Sequence, residues 1–116
     1  MKPHLLLIID SDPRKYPRAA EAVRIAAGLG AWGGFALTLY LHGPALTLLG
    51  LEGEQMLDGD SYPQYLPVLR QMGHALRGEA GGSWPASLSE YGEGFSSMDM
   101  AELRQLVSNS AWVLRF

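Results

Sequence analysis

Two aliphatic runs bracket an alanine-rich stretch in the first third of the chain. His4–Ile9 stops at Asp10-Ser11-Asp12-Pro13, and residues 35–41 stop at His42-Gly43-Pro44. Apolar runs of this length, without alternation and bounded by turn-forming residues, predict strands buried on both faces, as in a parallel sheet. Between them a helix is predicted over 17–31. Pro17 suits its first turn, Ala19, Ala22, Val23, Ala26 and Ala27 recur on one face, and Arg18, Glu21 and Arg24 fill the remainder. Gly28, Gly30, Gly33 and Gly34 mark its exit. Side chains this small let a helix sit close on a sheet. The pattern is that of a β-α-β unit.

Further along, 44–51 reads as a short apolar helical turn and 52–60 as an acidic, glycine-containing loop. Helical periodicity returns over 62–77 through Tyr65, Leu66, Leu69, Met72 and Leu76, with 78–83 ending it. Pro67 lies inside this stretch and is disfavoured within a helix, which leaves the start of the regular part anywhere over 61–67. A third strand is expected within 83–95, through Trp84, Ala86, Leu88 and Tyr91, although Pro85 would sit in it. Ser97 is expected to cap a helix over 98–107 whose apolar side holds Met100, Leu103, Leu106 and Val107, and 111–116 reads as a closing strand.

Composition narrows the class. With 116 residues and nothing resembling an internal linker, 1–116 is expected to be a single domain able to bury about two thirds of its unfolded surface. Hydrophobic residues make up 47% and charged residues 18%, which puts the chain at the apolar end of globular proteins. A net charge of −3, with basic residues clustered only at Arg14, Lys15 and Arg18, speaks against a nucleic-acid partner. No stretch is long and apolar enough for a membrane span or a signal segment, so no membrane partner is expected and the expected compartment is the cytoplasm. The chain has no cysteine, which removes disulfides, thiolate chemistry and Cys-ligated metals. His4, His42 and His74 lack the close spacing of a zinc site, and no metal or cofactor is expected.

Parallel strands deliver their carboxyl ends to one rim, where open α/β folds bind ligands. Asp10, Asp12 and Arg14 after the first strand, His42 and Gly43 after the second, and Trp84 and Ser87 in the expected third-strand region are therefore the candidate ligand-binding residues. The two aspartates suit a metal or an acid–base pair, but a strand-end aspartate more commonly caps the turn that follows it. His42 suits a general base or a hydrogen bond to its own turn. Arg14, Lys15 and Arg18 precede or open a helix whose amides favour anions, against the simpler reading of a solvated basic face. Neither a dinucleotide-binding glycine pattern nor a P-loop accompanies them. Trp84 would serve as an apolar wall or an interface anchor.

Three blocks, in order, resemble the DsrE/DsrF-like family of sulfur-relay proteins. They are Leu5-Leu6-Leu7-Ile8-Ile9-Asp10-Ser11-Asp12-Pro13 with Arg18-Ala19-Ala20-Glu21-Ala22, then Leu39-Tyr40-Leu41-His42-Gly43-Pro44-Ala45, then Met100-Ala101-Glu102-Leu103-Arg104-Gln105-Leu106 leading to Trp112-Val113-Leu114-Arg115-Phe116. The resemblance implies an α/β three-layer sandwich with a mostly parallel sheet of about five strands, and assembly of the chain with itself into trimers or hexamers, with a dimer as the alternative. Sulfur-carrying members place a cysteine at the end of the third strand, a stretch that here looks like Trp84-Pro85-Ala86-Ser87-Leu88-Ser89-Glu90-Tyr91-Gly92. A persulfide needs a thiolate, and serine without an adjacent base is a poor substitute. The expectation is thus a non-catalytic subunit that binds a small ligand or a sulfur-relay protein partner without carrying sulfur. An anion- or nucleotide-binding protein, or a hydrolase using the loops after the first two strands, is the alternative.

Overall fold

The computed structural model describes residues 2–49, 56, 57, 59, 61–81 and 95–116. In chain order they form β1 (His4–Ile9), α1 (Arg18–Ala31), β2 (Ala36–Leu41), a short 3-10 helix (Gly43–Leu49), α2 (Ser61–Gln71), β3 (Ala75–Glu79), β4 (Phe95–Met98), α3 (Met100–Asn109) and β5 (Trp112–Arg115). The five strands make one sheet in the order β4-β3-β2-β1-β5, and every neighbouring pair is parallel. This is the expected α/β sandwich of helix, sheet and helix.

The apolar run of β1 explains its central place. Leu5, Leu7 and Ile9 point into a core shared with Ala19, Ala22, Val23 and Ala26 of α1, Leu37, Leu39 and Leu41 of β2, and Leu69 of α2. Leu6, together with Tyr40 and Met98, faces the opposite side, where Leu103 and Leu106 of α3 pack. A strand covered on both faces has no position left for a polar alternation, which is why its sequence reads as continuous aliphatics. Because an alanine buries little area, α1 contributes chiefly close approach, its small face letting the backbone settle against the sheet.

Two expectations are corrected. The second helix does not continue to residue 77: Gly73, at φ +80, stops it, with the Gly73 amide donating to the Arg70 carbonyl at 3.0 Å and the His74 amide to the Leu69 carbonyl at 3.0 Å, the pattern of a Schellman cap. Ala75–Glu79 is a strand, so Leu76 owes its burial to the sheet and not to a helix face, while the strand expected within 83–95 falls almost wholly on residues outside those described. Ser97 is not a cap either. It lies in β4, and α3 begins after Asp99, whose side chain accepts from the Glu102 amide at 2.8 Å while the Glu102 side chain accepts from the Asp99 amide at 3.4 Å, a complete capping box.

Among the described residues no helix is long and apolar enough to cross a membrane, and no group of three or more His, Asp and Glu is placed to hold a metal ion.

Candidate functional site

Parallel pairing brings the predicted rim residues to one end of the sheet. Ile9 is the partner of Leu41, so residues 10 and 42 leave the sheet side by side, and the His42 amide donates to the Ile9 carbonyl at 2.9 Å. The sheet order reverses at β1. The chain departs from β1 toward α1 and β2, leaving the carboxyl end of β5 on the other flank, the position where open α/β sheets form a crevice.

Such a crevice is present, with a volume of about 380 Å³ and a lining of Asp10, Ser11, Tyr16, Arg18, Arg115 and Phe116. Asp10 Oδ2 accepts from Arg115 Nε at 2.6 Å, and the Asp10 and Ser11 amides both donate to the Phe116 carbonyl, at 3.2 and 3.3 Å. The hydroxyl oxygen of Ser11 is shielded from water and has no hydrogen-bond partner among the described residues.

Asp12 is not part of this crevice's lining; it is almost fully buried and folds back on its own turn. Its Oδ1 accepts from the Arg14 amide at 2.9 Å and from Arg14 Nε at 3.1 Å, and its Oδ2 accepts from Arg14 Nη2 at 3.0 Å. The side-chain hydrogen bonds from Arg14, and then the backbone one, hold the Asp12 carboxyl below its ordinary range, against burial that would raise it. The capping reading describes this carboxylate, and the charge of Arg14 is directed inward to it.

On the other side of the rim, Glu79 at the end of β3 ties the second loop. Its Oε2 accepts from the Gly43 amide at 3.3 Å and lies 3.5 Å from His42 Nε2, while the His42 ring is 6.3 Å from that of Tyr40. Burial, with the Glu79 carboxylate second, raises the Tyr40 phenol. Gly43 has φ +56, a backbone state that a side chain would strain, so this residue is set by the turn.

No protein-family model matches the sequence, and no curated protein matches it. Among solved structures, the crystal structure of the ychN protein from E. coli superposes with a TM-score of 0.74 at 20% sequence identity, covering 100% of this chain and 100% of that one. The fold is DsrE-like. At that identity the likeness is one of architecture, and residue roles rest on the geometry above.

In this DsrE-like frame Asp10, Asp12, Arg14, His42 and Gly43 all lie at the carboxyl rim, but in separate constellations: Asp10 with Arg115, Asp12 with Arg14, and His42 and Gly43 with Glu79. Trp84 and Ser87 lie outside the described residues. Sequence reasoning missed Glu79, Arg115, Tyr16 and Ser11 as rim residues. A signal for Arg115 existed, because the closing strand of a parallel sheet also ends at that rim. Glu79 gave none, being assigned to the exit of a helix.

Proposed function

We propose that this DsrE-like chain is a non-catalytic binding subunit that receives a small ligand or a sulfur-relay protein partner at its carboxyl rim and does not itself carry sulfur. The observation that carries the reading is the absence of any cysteine in the 116 residues. Sulfur relay by persulfide needs a thiolate nucleophile, and no other side chain supplies one. The state of the rim carboxylates supports binding over acid–base catalysis. Asp10 and Asp12 are each engaged by an arginine, and Glu79 by a backbone amide and an imidazole, so none stands ready to activate water. The reading places the subunit in the cytoplasm, assembled with further copies of itself.

The experiment is sulfur loading. After incubation with a cysteine desulfurase and its substrate, intact-mass measurement should find the chain unchanged. A reproducible, reductant-sensitive gain of one sulfur atom would overturn the proposal.

A further inference from the structure

We propose that the outer edge of β5 is a contact between two copies of this chain, which meet about a two-fold axis normal to the sheet so that their β5 strands run antiparallel and the two sheets become one. This rests on the reading above only for self-association, and adds the surface and the register of the contact.

The two edges of the sheet differ in chemistry. β4 exposes Ser96 and Ser97, whereas all four residues of β5 are exposed and three of them, Trp112, Val113 and Leu114, are apolar. On its outer side β5 has no partner strand among the described residues. Proteins that remain monomeric guard such an edge with lysine, proline or a free charge. β5 holds no lysine or proline, and its one charged side chain, Arg115, is engaged by Asp10 of its own chain at 2.6 Å. The edge is therefore suited to strand addition.

Area selects the occupant. Trp32, 81% exposed, and Trp112, 53% exposed, flank one apolar hollow beside the strand. At about 250 Å² per tryptophan the pair leaves roughly 300 Å² open in each copy, and so about 600 Å² over two, more than half of the ~1,000 Å² that a stable interface clears. Val113, Leu114 and the peptide edges of both strands supply the remainder. A foreign extended peptide would cover one such patch; a second copy brings its own and buries both.

The alternation of faces fixes the register. Trp112 and Leu114 pair with Leu5 and Leu7 on the side of the sheet that α1 covers, and Val113 and Arg115 pair with Leu6 and Ile8 on the side that α3 covers. An axis normal to the sheet keeps like faces together, so opposed residues must share a face and the axis passes through a residue, never between two. With the axis at Val113, Trp112 of each copy stands opposite the partner's Leu114 and closes the hollow, while Val113 meets its own equivalent. An axis at Leu114 would instead set Val113 against the partner's Arg115 and make the two guanidinium groups diagonal neighbours, a like-charge placement that costs stability.

The test exploits the cysteine-free sequence, in which one introduced thiol reports one position. In the proposed register residue 113 faces itself with about 4.5–5.5 Å between Cα atoms, within disulfide reach. Mild oxidation of the full-length Val113→Cys chain should convert most of it to a linked pair on a non-reducing gel, and Ser108→Cys, at an exposed position of α3, should stay single. Val113→Lys and Val113→Glu should each weaken association by about tenfold or more in sedimentation, and mixing the two should restore it, because opposite charges then meet at the axis. Matching circular dichroism spectra exclude unfolding as the cause. Equal linking of the two cysteine variants, a Val113→Lys chain that associates as tightly as wild type, or a mixture as weak as either variant alone overturns the strand pairing, as does a wild-type trimer, which has no two-fold axis. A wild-type monomer at micromolar concentration overturns self-association as well and leaves the edge to a different partner. Sulfur loading reads the absence of a carrier role independently, so the two proposals can fail separately.

Discussion

A single side chain's surroundings set how this protein responds to acid. His4 Nε2 lies 2.9 Å from the Thr38 hydroxyl, and burial lowers the imidazole below its ordinary value. A base whose pKa is depressed in the folded state takes up its proton more readily when unfolded, so the unfolded form gains as the pH falls below the ordinary histidine range. The stability present at neutral pH is therefore lost progressively down to the folded-state pKa. Asp12 acts in the same direction lower down: its carboxyl, depressed by Arg14, stabilises the fold above its unfolded pKa, and that contribution disappears as the pH drops through the folded value. Denaturant melts at a series of pH values should show two acid limbs. His4→Gln should flatten the first and leave the second, and Asp12→Asn should do the reverse. An unchanged first limb in the His4 variant would show that another group is responsible. At this scale the sequence was informative about Asp12, since an aspartate two residues before an arginine in a turn binds its own backbone. It was silent about Asp10, whose partner Arg115 is 105 positions away.

Elements divide by how local their causes are. The limits of β1, α1 and β2 followed from runs and turn residues, because each is bounded by chemistry within a few positions of itself. The failures occurred where two elements abut without a long loop. Only Met72, Gly73 and His74 separate helix from strand, and Leu76 falls in phase with the preceding helical stripe by coincidence of spacing. Similarly, β4 runs almost directly into α3, and Asp99 takes the cap that Ser97 was expected to provide. The junction between α1 and the lead-in to β3 carries a prediction of its own. His74, buried, has Nε2 3.2 Å from the Gly30 carbonyl, which can only accept, so that nitrogen bears the proton. A methyl group at residue 30 would lie 2.7 Å from His74 Nε2 and 2.8 Å from Cδ2. Alanine is the better helix former by about 1 kcal/mol, but displacing a packed, hydrogen-bonded ring costs about 1–3 kcal/mol. Gly30→Ala should therefore lower the unfolding free energy in urea. In a His74→Ala background the same substitution should become neutral or stabilising, and identical effects in both backgrounds would exclude the ring as the cause.

Across the whole molecule, the apolar composition is not fully absorbed by the core. The four residues of β5 are exposed, with Trp112 at 53%, and Trp112 stands edge-on to Phe35 at 6.2 Å. Leu5, Leu29, Trp32, Phe35, Trp112 and Leu114 line a hollow of about 280 Å³ beside this edge strand. A strand edge with no partner strand among the described residues, flanked by aromatic and aliphatic side chains, is a strong site for association, and a second copy presenting the same strand is its simplest complement. Light scattering at micromolar concentration should report a trimer or hexamer, with a dimer as the alternative, and Trp112→Lys should shift the population toward monomer. A wild-type chain that is monomeric under these conditions would contradict self-assembly. The sequence carried this scale in part: continuous aliphatic strands indicate a parallel sheet, but the order of its strands depends on pairings between distant segments.

The pairing of the first strand with the fifth has a consequence for biosynthesis. Ala111 donates to the His4 carbonyl and Phe116 to the Ile8 carbonyl, so β5 is laid against a strand that left the ribosome before every other. During translation β1 can gather β2 and β3 early, yet its other edge stays bare until the segment bearing Trp112 emerges, and closing so long a loop is entropically slow. The crevice shared by Asp10 and Arg115 comes into being only when β5 pairs with β1. Anything that binds there would recognise only chains whose fifth strand is already in place, and by mass action it would favour the closure of the sheet.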